Sequence, residues 1–79
     1  MIVETTGTYC IKNICYLRKK YAISRRGLAK LIGMSEYTLK EMEEELRNPV
    51  FLHQQLERLC DIFEVSLEEL LHKDLSGEL

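Results

Sequence analysis

Seventy-nine residues, 46% of them apolar and 30% charged, make one small folded domain with a net charge of −2. A chain of this size buries only roughly 60% of the surface exposed when unfolded, enough for one hydrophobic core but not for a deep catalytic cleft. No run approaches the ~18 apolar residues of a membrane span, and the opening MIVETTGTYC lacks a signal peptide's basic and apolar regions, so the expected setting is cytoplasmic, without membrane contact.

Residues 1–9 lean towards β structure (Ile2, Val3, Thr5, Thr6, Thr8) with Gly7 as a breaker, and read as an arm that is either disordered or an added strand. From there the spacing predicts an all-α domain over residues 10–73. Its first helix, 10–21, carries Ile11, Ile14, Leu17 and Tyr21 at helical intervals. Ser24 opens a second helix, 24–32, with Leu28, Ala29, Leu31 and Ile32 as its buried stripe. Gly27 within it marks an expected close approach of another helix, and Gly33 takes the position just past its end. Ser35 caps a third helix, 35–46, with Leu39, Met42 and Leu46 facing inwards. Asn48-Pro49 breaks the chain. A fourth helix, 52–63, presents Leu52, Leu56, Leu59, Cys60 and Phe63, and the capping box Ser66–Glu69 opens a fifth, 66–72. Residues 74–79 read as a frayed tail.

The residues that could carry chemistry are few. Cys10, Cys15 and Cys60 are odd in number and lack metal-site or disulfide spacing, so they read as small apolar side chains. His53 and His72 stand apart from any cluster of ligands. No enzyme activity, metal or cofactor is expected. Charge is more informative. Residues 1–35 hold seven Lys/Arg against one acid, +6, and residues 36–79 hold four against twelve, −8. Such asymmetry points to one surface that attracts polyanions and another that repels them.

Five stretches occur in order: Ile14-Cys15-Tyr16-Leu17-Arg18; Ser24 with Leu28-Ala29; Ile32-Gly33-Met34-Ser35; Leu39 with Met42-Glu43; and Val65-Ser66-Leu67-Glu68-Glu69-Leu70-Leu71. Together they resemble the Cro/C1-type (XRE-like) helix-turn-helix family of bacterial and phage regulators, over roughly Ile14–Leu71. The resemblance implies a small five-helix, lambda-repressor-like domain whose helix three enters the major groove of DNA. It also implies that Arg18 and Glu43 pair inside the domain. The chain departs from the family's pattern in Arg25, where a glutamine is common, and in Glu45, where a glycine is common. The segment between Pro49 and the closing motif is about two residues longer than usual.

Carried over residue by residue, the base-facing positions are Glu36, Tyr37 and Glu41. A glutamate can accept a hydrogen bond from cytosine, and a tyrosine can meet a thymine methyl or a phosphate. Arg25, Arg26, Thr38 and Arg47 are the expected phosphate contacts, and Ser35 and Lys40 complete the candidate DNA-binding set. Against this stand five glutamates and one lysine within residues 36–45, which oppose the counterion release that drives DNA affinity. The first reading is a sequence-specific regulator that binds double-stranded DNA as a homodimer. Ile2 and Val3, or Leu71 and Leu75, are the candidate dimer contacts. The alternative is a protein-interaction module on the same fold, antirepressor-like or a DNA mimic, in which the acidic helix docks on a protein partner.

Overall fold

The computed structural model describes residues 2–4 and 9–77. Five helices run in order: α1 (Cys10–Lys20), α2 (Arg25–Ile32), α3 (Glu36–Glu43), α4 (His53–Phe63) and α5 (Leu67–His72). Two short strands, β1 (Ile2–Glu4) and β2 (Val50–Leu52), form an antiparallel ladder that sets Ile2 against Leu52 and Glu4 against Val50. The architecture is therefore mostly helical, with a small sheet where the sequence suggested either an arm or a strand. Residue 1 and residues 5–8 of that arm, including Gly7, lie outside the described residues. None of the described helices is long and apolar enough to cross a membrane.

One core holds the helices together. Ile14, Leu17, Leu28, Ile32, Leu39, Met42, Leu56, Leu59, Phe63 and Leu70 are all buried, joined by Cys10 and by Phe51 from β2. Burying a side chain of this size contributes about 1.5–3 kcal/mol. Tyr21 lays its ring edge-on against Phe63, with centroids 5.5 Å apart. The three cysteines form no disulfide.

Three serines start helices as the sequence indicates. Ser24 accepts from the Gly27 amide at 2.9 Å, Ser35 from Thr38 at 3.0 Å, and Ser66 from Glu69 at 3.1 Å. In the last case the Glu69 carboxylate in turn accepts from the Ser66 amide at 3.0 Å. Gly27 serves the first cap rather than a helix contact. A Cβ there would lie 3.1 Å from the Ser24 oxygen, so the glycine clears room for the capping side chain.

Helix ends account for the other differences from the sequence reading. The third helix stops at Glu43 instead of reaching residue 46, because Glu45 turns left-handed at φ 61°. Glu45 N–H then bonds to Met42 O at 3.2 Å and Leu46 N–H to Glu41 O at 2.8 Å, the paired closure of a Schellman motif. Leu46 is thrown outwards, 68% exposed, and leaves the apolar stripe. Ala22 ends α1 in the same way, at φ 56°, and Glu64 ends α4 at φ 54°. Leu31 also departs from its expected stripe and is exposed, since Leu28, Ala29 and Ile32 already fill the buried face of α2.

The segment read as a frayed tail is instead held at its start. Asn13, fully buried on α1, donates to Leu70 O at 2.9 Å and Lys73 O at 2.6 Å. Its carbonyl accepts from Leu75 N–H at 2.9 Å. One side chain thereby satisfies the open carbonyls at the end of α5 and fixes the turn beyond it. Lys12 and Asp74 add an ion pair at 3.4 Å, and Leu71 and Leu75 pack against the core. Residues 78–79 lie outside the described part of the chain.

Candidate nucleic-acid interface

Helices α2 and α3 are joined by the turn Gly33-Met34-Ser35. Gly33 sits at φ 75°, a conformation that favours glycine, and nothing lies within 4 Å of where its Cβ would be. The requirement at this position is backbone geometry, not space. Behind the turn, Ile32, Leu39 and Met42 are buried and fix the angle between the two helices.

Helix α4 braces this unit at two points. Gln55 donates to Gly33 O at 3.2 Å while its own oxygen accepts from Leu52 N–H at 2.8 Å. Arg58 donates to Leu31 O at 3.0 Å, close to the end of α2. Neither residue was singled out in the sequence. Gln55 carried a usable signal, standing three residues after the first position of the predicted helix, where a Gln or Glu reaches back to an amide.

A third tie is ionic. Arg18 meets Glu43 with two parallel bonds, Nε to Oε2 and Nη2 to Oε1, each 2.9 Å. Arg18 Nη1 also donates to Ile23 O at 3.1 Å. Arg25 Nε joins at 2.9 Å on the same Oε1, so one carboxylate binds α1, α2 and α3 together. The Glu43 side chain is 1% exposed, that of Arg18 10% and that of Arg25 28%. Burial by itself would raise the Glu43 pKa. The bonds and charges of Arg18 and Arg25 overcome it and hold the carboxyl below its ordinary value. The bond to Glu43 correspondingly raises Arg18.

These contacts redistribute the sequence-predicted site. Arg25 points into the Glu43 network, with a longer approach of 3.8 Å to Glu44. Arg47 pairs with Glu41 at 2.6 Å, and the Glu41 side chain is only 18% exposed. Ser35 and Thr38 are bonded to each other at the start of α3. Lys40 lies 3.5 Å from Glu44, both well exposed. Glu36, Tyr37 and Lys40 remain on the outer face of α3, and Arg26 is exposed at the start of α2. Of the five glutamates in residues 36–45, Glu41, Glu43 and Glu44 thus have cationic partners. Glu36 stands in the first turn of α3, where the helix dipole favours a negative charge. The acidic appearance of this helix overstates what it presents to a ligand.

Comparison with known families matches residues 13–73 to the Cro/C1-type HTH DNA-binding domain. Among solved structures, the N-terminal DNA-binding domain of SinR from Bacillus subtilis is similar at 30% identity and a TM-score of 0.67. The similarity covers 89% of this chain and 97% of that one. Comparison with curated proteins gives no match. With the turn, the two helices and their bracing in place, the chain belongs to the Cro/C1-type helix-turn-helix DNA-binding domain family.

Proposed function

We propose that this protein is a sequence-specific DNA-binding transcriptional regulator that lays α3 in the major groove. The observation that carries the reading is the partial neutralisation of α3: Glu41 is held by Arg47, and Glu43 by Arg18 with Arg25. What is left on its outer face is Glu36, Tyr37 and Lys40. In this reading Glu36 accepts from a cytosine amine, Lys40 donates to a guanine edge, and Tyr37 meets a thymine methyl. Arg26 supplies the phosphate contact at the start of α2. The described relationship to the DNA-binding domain of SinR supports the same assignment. The same neutralisation argues against α3 as an acidic surface for docking a protein.

Two copies reading paired half-sites would supply the affinity that one small interface lacks, so the functional unit is a homodimer on a duplex about one helical turn per half-site. The test is duplex selection from a random pool, followed by anisotropy titrations at several salt concentrations. Selected duplexes should bind with a steep salt dependence. Arg26→Ala should reduce that slope by about one unit while leaving base preference intact, and Glu36→Ala should relax preference at one position by about 1–3 kcal/mol. No salt-sensitive duplex binding even at low ionic strength would remove the proposal.

A further inference from the structure

Helices α4 and α5 meet along a shallow groove of about 230 Å³. Its floor is apolar, made by Leu56, Cys60, Val65 and Leu67, and Leu67 is 39% exposed. Glu57 and Asp61, both exposed, line it from the outer side of α4. The charge of this region is one-sided. Residues 53–72 hold five acids, Glu57, Asp61, Glu64, Glu68 and Glu69, against Arg58 and two histidines, of which His53 also lines the groove, 3.4 Å from Glu57. Arg58 is bonded to Leu31 O on α2, so it does not serve the groove.

We infer that the α4–α5 groove docks a basic amphipathic segment of a partner protein, one apolar side chain seated on Leu56, Cys60, Val65 and Leu67 and its Lys or Arg residues facing Glu57 and Asp61. Charge complementarity selects this occupant. A duplex is repelled by the acids, which oppose phosphate at this face. A second copy meeting the groove with its own groove sets Glu57 and Asp61 against identical charges, because a two-fold contact is self-complementary. A basic segment satisfies both parts of the surface: the apolar floor gives affinity and the acidic wall gives orientation and rate. A regulator bound in this way would take its partner on a different face from α3.

The experiment titrates the whole, isotope-labelled protein with a synthetic basic peptide of about four helical turns, bearing leucines one turn apart among lysines. Amide resonances report the site. The expected result is a saturable shift confined to residues around Glu57, Cys60, Asp61, Val65 and Leu67, weakened as salt rises from about 50 to 300 mM. The double variant Glu57→Lys/Asp61→Lys, exposed positions that leave the core intact, should lose about tenfold in affinity or more. On the unaltered protein, a peptide with glutamate in place of lysine should not bind. Equal binding by a leucine-free basic peptide would overturn the proposal in favour of bare charge attraction. Shifts elsewhere would overturn it too, as would the same resonances moving with protein concentration alone, which would make a second copy the occupant.

Discussion

Replacing Glu43 with glutamine should destabilise the domain by about 3 kcal/mol, the lower part of the range for removing one partner of a buried ion pair. The figure follows from the geometry. Glu43 is 1% exposed and receives three charge-assisted bonds of 2.9 Å, and Arg18 at 10% exposure would be left without its counter-charge. Glutamine keeps one acceptor oxygen, and Arg25 is exposed enough to recover water, so the upper part of the range does not apply. For a domain of this size the loss corresponds to a fall in Tm of roughly 12–24 °C. Urea unfolding followed by circular dichroism measures it directly, with the midpoint moving and the slope unchanged. The pH dependence gives a second readout. The Glu43 carboxyl lies below its ordinary value of 4.5 in the folded state, so its contribution is complete above that value and is lost as pH falls through the lowered one. The variant should therefore lose part of the parent's acid sensitivity. A destabilisation below about 1 kcal/mol, the size expected of a solvent-exposed pair, would refute the view that this carboxylate ties three helices together.

Asn13→Ala should cost about 2–3 kcal/mol, since it leaves the buried Leu70 carbonyl at the end of α5 without this donor, and hydrogen exchange at the Leu75 amide should speed up with it. Glu45→Gly should stabilise by about 0.5–1 kcal/mol in urea unfolding, because a left-handed residue with a side chain gives way to one without strain there. Gly33→Ala should do the reverse, losing about 1 kcal/mol by the same measurement for conformational reasons alone, as no atom obstructs the added methyl.

Much of the fold was legible because its signals are local. Ser24, Ser35 and Ser66 each state a helix start within three residues of chain, and the spacing of Leu56, Leu59 and Phe63 states a buried face. The pairing of Arg18 with Glu43 was implied by the family resemblance and is present. What escaped was non-local or conformational. Asn13 looks like an ordinary polar residue in a helix until α5 ends beside it, 57 positions away at Leu70. The early stop of α3 depends on a glutamate adopting the left-handed region, which composition does not advertise. Arg25 reads as a phosphate contact because nothing in the sequence shows that its neighbour across the fold is Glu43. For the candidate site this matters most: the sequence listed the charges of α3, and the fold decided which of them are already spoken for.

The β1–β2 ladder places a constraint on the order in which the chain can be made. Ile2 and its partner Leu52 are fifty positions apart in the chain. At about 5–20 residues per second, the strand waits roughly 3–10 s with its backbone amides unmatched. Leu52 also offers its N–H to Gln55, which in turn holds the carbonyl of Gly33. Completion of the N-terminal pairing and bracing of the α2–α3 turn therefore converge on one short stretch, 50–55. The α2–α3 unit is thus made before the stretch that supports it.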